Sequence, residues 1–204
     1  MILPVRNAIQ RLRACSPAPG RLRGMKCMLL ASLLFCTHAF SMAEELAAEY
    51  QVKAAFLYNF SRFTSWPDEA ATGAAGFHIC LAGSDPFGDA LESLTGKMVR
   101  NHPLVIHRAG TATLSEDCQM VFVSNSETGR IDELLAGLRH KPVLTVSDAD
   151  DFARQGGIIQ LRLVDRKIRF EINVDAAERA GLKISSKLLS LATVVHDEKA
   201  GMAP

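Results

Sequence analysis

Ile158-Ile-Gln-Leu-Arg-Leu-Val164 and Lys167-Ile-Arg-Phe-Glu-Ile-Asn-Val174 flank Asp165-Arg166, and this stretch decides the fold of the C-terminal part. A two-residue connection between two strand-like runs is typical of an antiparallel hairpin. Side chains alternate across a strand, so the second run has two faces. One face carries Ile168, Phe170, Ile172 and Val174, and the other carries Arg169, Glu171 and Asn173. The polar face has two interpretations, a solvated outer face with incidental ion pairs or a recognition surface for another protein.

Earlier in the chain, short apolar runs alternate with helical or polar segments. The predicted strands are Phe77–Ala82, Leu104–His107, Met120–Ser124 and Val143–Val146. Continuous apolar strands separated by helices favour a largely parallel sheet that is covered on both faces. The sequence therefore predicts a single α/β domain. Its mixed, mostly parallel sheet is flanked by helices, and a C-terminal β-hairpin is followed by two helices.

Apolar spacing and capping residues place the helices. Residues 44–63 form the longest, with a stripe of Val52, Phe56, Phe60 and Phe63. Pro86 opens a short helix through Leu94, and another runs from about Gly129 to Leu138. Asp175-Ala-Ala-Glu178 resembles a capping box for a helix that ends near Gly181. Ser185 or Ser186 caps a last helix, in which Leu188, Leu191, Ala192 and Val195 share a face.

The N-terminal segment has the layout of a secretory signal peptide. Residues 1–43 contain six basic residues and no acidic one, and an apolar core over Met28–Phe40 is too short to span a bilayer. Ser41 and Ala43 supply the small residues of a cleavage site before Glu44. We expect residues 1–43 to be removed, with residues 1–24 an over-extended gene start. Residues 44–204 then form one exported, soluble periplasmic domain.

Charge and cysteine content limit the functions available to residues 44–204. The whole chain has a formal charge of +1, but the basic residues of the signal segment leave this part mildly acidic. An acidic domain is a poor partner for nucleic acid. Cys80 and Cys118 are the cysteines that remain, and an oxidising compartment favours a disulfide between them. Two buried thiols are the alternative.

The search for a catalytic or metal-binding constellation fails. Gly83-Ser-Asp-Pro-Phe-Gly88 has the outer spacing of a phosphate-binding loop, but Asp89 stands where that motif requires Lys. We interpret it as a strand-to-helix turn. His102 and His107 are not spaced as metal ligands, and the acidic segment that begins at Asp148 is expected to be helix capping and a solvated loop. The sequence predicts no catalytic residue, no metal and no cofactor.

Several blocks of the chain together resemble the YfiR/HmsC family of periplasmic proteins, from about Glu49 to Val195. The blocks are Val52-Lys-Ala-Ala-Phe-Leu-Tyr-Asn-Phe60 with Trp66-Pro67, Ile79-Cys-Leu-Ala-Gly-Ser-Asp-Pro-Phe-Gly88, Val143-Leu-Thr-Val-Ser-Asp148, Gly156-Gly-Ile-Ile, Arg169-Phe-Glu-Ile-Asn173, Ala180-Gly-Leu-Lys183 and Ser185-Ser-Lys-Leu-Leu189. The resemblance implies a dimeric regulator without catalytic activity. Such a regulator binds the periplasmic sensor domain of an inner-membrane diguanylate cyclase and holds it inactive, which lowers cyclic di-GMP and biofilm formation. An outer-membrane lipoprotein can sequester it.

The resemblance also carries over to particular residues. It implies a disulfide between Cys80 and Cys118, and this chain lacks the second cysteine pair that some relatives carry nearer the C-terminus. It places partner contacts at Glu171, Arg179 and Lys183. Arg169 and Asn173 join them because they share the strand face of Glu171. A sensor kinase is another possible membrane partner. The alternative function is a periplasmic small-molecule binder whose pocket lies near the last two helices and takes an amino acid or a nucleotide.

Overall fold

A computed structural model describes residues 44–67, 76–109 and 118–197. The predicted signal peptide over residues 1–43 lies outside the described residues. The sheet belongs to a compact unit that begins at Leu46. The helices are α1 (44–63), α2 (Asp89–Glu92), a 3₁₀ helix (Asn125–Arg130), α3 (Ile131–Leu138), α4 (Val174–Arg179) and α5 (Ser186–Leu189). The strands are β1 (Thr64–Ser65), β2 (Phe77–Ala82), β3 (Met98–Val99), β4 (His102–Ala109), β5 (Met120–Val123), β6 (Leu144–Ser147), β7 (Ile159–Val164), β8 (Lys167–Asn173), β9 (Lys183–Ile184) and β10 (Thr193–Val195).

Among the described residues, eight strands form one mixed sheet in the order β10-β8-β7-β6-β5-β2-β4-β3. Strands β4, β2, β5, β6 and β7 are mutually parallel, whereas β8 runs antiparallel to β7. The parallel strands have the spatial order 2-1-3-4-5 of a doubly wound sheet. The predicted α/β class, the mostly parallel sheet and the C-terminal hairpin are confirmed.

Both faces of the central part of the sheet are buried, because successive residues of the central strands enter different cores. Ile79 and Leu81 of β2 pack in the larger core with α1, whereas Cys80 and Ala82 pack in the smaller core with Ile131 of α3. This two-sided burial explains why the central strands are apolar without interruption.

Helix α1 has the predicted extent, but its buried face is rotated from the predicted stripe. Val52 is 47% exposed, whereas Lys53, Leu57 and Phe60 face the protein interior. Lys53 is buried because its ammonium group has two carboxylate partners. The predicted stripe was built from apolar residues alone, so it could not include a buried lysine. The predicted burial is therefore confirmed for Phe60 and wrong for Val52.

The C-terminal segment differs from the prediction in two places. The N-cap of α4 is Asn173, whose side chain accepts the amide of Ala176, rather than Asp175 of the expected capping box. The last helix, α5, ends at Leu189, and Thr193–Val195 forms a strand parallel to β8. The β-branched residues at 193–195 suit a strand, and the free edge of β8 gives this strand a place to pair.

Candidate partner-binding surface

The outer half of the β7–β8 hairpin is exposed and carries apolar side chains. Residues 162–167 are all exposed, and Leu163 and Val164 are 54% and 41% accessible. The hairpin turns at Asp165 and Arg166, which both have positive φ, as a type I′ turn requires. We call residues 162–169 the hairpin arm. Neighbouring exposed apolar side chains can belong to a patch that docks another protein, so the arm is a candidate for such a site.

The polar face of the hairpin is organised around Glu171. Arg162 stands opposite Arg169 in the antiparallel register, and Glu171 lies diagonally across from Arg162. Arg162 Nη1 donates a hydrogen bond to Glu171 Oε1 at 2.8 Å, and this bond raises the pKa of the Arg162 guanidinium. Opposed like charges destabilise a sheet, so Glu171 offsets the repulsion between the two arginines. Arg169 is exposed, but Glu171 is only 8% accessible.

Asn173 is fully buried, and its contacts are internal. Its side-chain oxygen caps α4, and its Nδ2 donates to the carbonyl of Ala153 at 2.7 Å and to Asp197 Oδ1 at 2.6 Å. The interpretation of this strand face as solvated is therefore wrong for Glu171 and Asn173. The reason is that Ala153 and Asp197, from other parts of the chain, contact Asn173 on this face, which alternation along one strand does not indicate.

Arg179 and Asp197 hold the end of the described chain against α4. Arg179 Nη1 pairs with Asp197 Oδ2, while Asp175 accepts hydrogen bonds from His196 and from the amide of Asp197. The bond from His196, followed by that from the amide, lowers the pKa of Asp175. We call Asp175, Arg179, His196 and Asp197 the C-terminal clamp. Arg179 is thus already engaged with a carboxylate of its own chain.

Lys183 lies in a different part of the fold from the other predicted contact residues. It is exposed on β9, where it is paired with Ser65 of β1 in a separate two-stranded sheet. Alternation along β8 places Arg169, Glu171 and Asn173 on one face, and Asp197 links Asn173 to Arg179. The partner-binding role of all five residues stays a prediction.

A buried charge cluster at Asp148 was missed by the sequence analysis. Lys53 Nζ lies 2.6 Å from both Glu49 Oε1 and Asp148 Oδ2, and Tyr50 donates its hydroxyl to Asp148 Oδ2 at 2.8 Å. Burial, and then the bond to Asp148, raise the pKa of Tyr50. The expectation of a solvated loop at Asp148 is wrong, since its side chain is 7% exposed. The i,i+4 spacing of Glu49 and Lys53 indicates an ion pair on α1. Asp148 lies 95 residues after Lys53, so the sequence pattern gives no indication of its contact with this pair.

Cys80 and Cys118 form a disulfide, with their Cα atoms 6.0 Å apart. Cys80 lies on β2, and Cys118 immediately precedes β5, the parallel neighbour of β2. Both residues belong to the smaller core, where they are 1% and 3% exposed. The pairing of neighbouring parallel strands therefore brings together two residues 38 positions apart, as predicted.

The loops at the place where doubly wound sheets usually bind ligands contact each other. Ligands bind such sheets where the strand order reverses, here between the loops after β2 and β5. Ser126 Oγ accepts the amide of Ser84 at 3.0 Å, and it lies against Gly83, where a Cβ would collide with it. Asp85 Oδ1 accepts the amide of Phe87 at 2.7 Å. Gly83–Gly88 is thus the predicted strand-to-helix turn, closed by contacts to the neighbouring loop.

The described residues offer few groups for metal or catalytic chemistry. Within residues 44–67, 76–109 and 118–197, no group of three or more His, Cys, Asp or Glu side chains is placed to hold a metal ion. Sheet pairing does bring His78 and His107 together, with ring nitrogens 3.1 Å apart. This pair differs from His102 and His107, the two histidines that lie near each other in the sequence. In this same part of the chain, no helix has the length and apolar character needed to cross a membrane.

These features define an α/β domain whose loops after β2 and β5 contact each other and whose hairpin arm is exposed and partly apolar, a surface that suits a binding module. The model of the YfiR/HmsC-like family matches residues 50–193, and the chain belongs to this family. Its members are periplasmic regulatory proteins associated with the control of membrane diguanylate cyclases. The match includes the disulfide, the hairpin arm and most of the C-terminal segment, so the resemblance stated from the sequence is confirmed.

Proposed function

We propose that this protein is a non-catalytic periplasmic repressor that binds the sensor domain of an inner-membrane diguanylate cyclase through the hairpin arm. The observation that carries this proposal is the exposure of Leu163 and Val164 on a hairpin that also exposes Arg169, in a member of a regulatory family. Binding represses the cyclase if the protein has higher affinity for its inactive state, and no chemical step is needed.

The hairpin arm combines the two kinds of contact that protein interfaces use. Leu163 and Val164 supply apolar area that an interface would remove from water, and Arg169 supplies an exposed charge at its rim. Buried apolar anchors dominate binding free energy, whereas exposed rim charges mainly affect the association rate. We therefore expect Leu163 to matter more for affinity than Arg169.

The test is to measure cyclic di-GMP and biofilm in cells that carry Leu163→Asp or Arg169→Glu. Loss of one anchor typically costs about 2 kcal/mol of binding free energy, which weakens the complex roughly 30-fold. We expect Leu163→Asp to derepress the cyclase while periplasmic abundance stays at the wild-type level. Lys97→Glu is the matched control, because Lys97 is exposed beside β3 at the opposite edge of the sheet. Full repression by both arm variants would contradict this surface.

Glu171 is buried and Lys183 is exposed, so the variants that test these two predicted contact residues differ in kind. Glu171→Lys would place a cation against Arg162 in a buried site, so it would test folding as well as binding. Glu171→Gln keeps the size of the side chain and removes only its charge. Lys183→Glu is a cleaner test, since Lys183 is exposed. Derepression by Lys183→Glu, with an unchanged melting temperature, would extend the binding surface to β9.

The proposal includes export and self-association. We propose that signal peptidase removes residues 1–43, that residues 44–204 act as one domain, and that this domain forms a homodimer which an outer-membrane lipoprotein can sequester. Mass-spectrometric sequencing of periplasmic protein should find Glu44 as the first residue, and sedimentation should give twice the mass of the processed chain. An intact Met1 or Met25 terminus on cytoplasmic protein would contradict the localisation.

A further inference from the structure

Two imidazole rings face each other where β2 pairs with β4. His107 Nε2 lies 3.1 Å from His78 Nδ1, and the ring centroids are 4.7 Å apart with 39° between the ring planes. The register pairs Cys80 of β2 with His107 of β4, and alternation along β2 puts His78 on the same sheet face as Cys80. Strand pairing therefore brings together two histidines that are 29 positions apart in the sequence.

The separation of the two nitrogens suits neighbouring ligands of one metal ion. With metal–nitrogen bonds of about 2.05 Å, two imidazole nitrogens lie about 2.9 Å apart at adjacent corners of a square plane and about 3.3 Å apart in a tetrahedron. The observed 3.1 Å lies between these two values. A cation could therefore bind both nitrogens after a shift of a few tenths of an ångström in the side chains.

The backbone under the two histidines is held firmly. Strands β2 and β4 pair along all six residues of β2. The amide of His78 donates to Gln119 Oε1 at 2.7 Å, and the carbonyl of His78 accepts the amide of Gln119 at 3.1 Å. Two residues after His78, the disulfide from Cys80 to Cys118 fixes the same stretch of β2. Ligands on rigid strands need little ordering when a metal binds, which favours affinity.

The surroundings limit which ions could bind. In the part of the chain that the structure describes, no third His, Cys, Asp or Glu side chain completes a metal-binding group with this pair. Both histidines are half-buried, so water can reach the remaining coordination positions. Imidazole nitrogen suits copper, nickel and zinc, whereas magnesium and calcium take oxygen ligands. Two protein ligands also give weaker binding than the four of a structural zinc site.

We propose that His78 Nδ1 and His107 Nε2 bind a divalent transition-metal cation, with water as the other ligands and with Cu²⁺ bound most tightly. In the metal-free protein these nitrogens share one proton in a hydrogen bond. Binding moves that proton to the other nitrogen of its own ring, so that both facing nitrogens present lone pairs. This site does not depend on the hairpin arm, and failure of either proposal leaves the other standing.

Calorimetric titration of the untagged, EDTA-dialysed protein with Cu²⁺ tests the affinity. We expect one saturable site, weaker binding of Zn²⁺ in line with the general order of affinities, and no heat from Mg²⁺. His107→Gln and His78→Gln should each weaken Cu²⁺ binding at least tenfold. His140→Asn is the matched control, because His140 is an exposed histidine after α3 whose φ of +63° asparagine tolerates. Its affinity for Cu²⁺ should equal that of the wild type.

Imidazole ¹⁵N spectra of the wild type, with Zn²⁺ as a diamagnetic probe, decide the question even if a variant fails to fold. Zn²⁺ should shift His78 Nδ1 and His107 Nε2 saturably and leave the ring nitrogens of His140 unchanged. The absence of a saturable shift would overturn the proposal and leave the pair as a hydrogen bond only. Shifts confined to other histidines would also overturn it, as would wild-type Cu²⁺ affinity in folded His107→Gln and His78→Gln.

Discussion

Asn173→Ala separates a structural residue from a partner contact at a position that the sequence analysis assigns to the predicted partner-binding surface, with a solvated face as the alternative. The wild-type side chain makes three hydrogen bonds from a fully buried position, to the Ala176 amide, the Ala153 carbonyl and the Asp197 carboxylate. Alanine removes all three and leaves their partners in place. The expected result is a large loss of stability, and any loss of repression follows from it.

The magnitude can be worked from these contacts. Loss of the N-cap of α4 costs about 1 kcal/mol. The carbonyl of Ala153, a residue that is 0% exposed, loses its side-chain donor, which costs roughly 1–3 kcal/mol more. The free energy of unfolding should therefore fall by about 2–4 kcal/mol. With a urea m-value of roughly 2 kcal/mol/M, the unfolding midpoint moves down by about 1–2 M.

Trp66 provides the assay, since it is the single tryptophan and is 7% exposed, with its indole bonded to the carbonyl of Gln119. Urea unfolding followed by its fluorescence compares Asn173→Ala with Asn173→Asp, which keeps the cap but loses both donors and adds charge beside Asp197. Arg169→Ala, on the exposed part of the same strand face, is the control and should change stability by less than about 0.5 kcal/mol. A midpoint for Asn173→Ala within error of wild type, together with lost repression, would refute this reasoning.

Three further outcomes follow from the core. Cys80→Ser should lower stability by about 4 kcal/mol under oxidising conditions, from the chain entropy of a loop of 38 residues. Adding Cys118→Ser should cost little more, and an additive loss in urea unfolding would contradict the pairing. Lys53→Met leaves buried Asp148 without its cation and should cost about 3–5 kcal/mol. Lys53→Met/Asp148→Leu should recover much of that loss, whereas a double variant no more stable than the single one would contradict it. The pKa of Tyr50 is higher in the folded protein than its ordinary value of 10.0. The stabilisation of the fold by the protonated hydroxyl is therefore complete below pH 10.0 and is lost as the pH rises above it. Tyr50→Phe should flatten the alkaline fall in melting temperature, and an unchanged slope would contradict this.

Local pattern was sufficient for most secondary structure because strands and helices are periodic. Phe77–Ala82 has the predicted bounds, and the Asp165-Arg166 turn joins antiparallel strands. Prediction failed where a distant partner changed the local preference. Residues 193–195 continued a helical apolar spacing, yet they form a strand because β8 offers a free edge.

The candidate sites depended more heavily on the tertiary structure. The sequence by itself determined the α/β class, the hairpin and the family, since each is recorded in spacing or in the order of short blocks. The pairing of Cys80 with Cys118 was implied by the family resemblance, and the fold brings the two residues together. Only the fold decided that Glu171 and Asn173 are buried, that Asp148 meets Lys53, and that two histidines from neighbouring strands face each other. Periodicity tells which side of its own strand or helix a residue occupies. It contains no information about which remote segment covers that side, and burial and ion pairing depend on that segment.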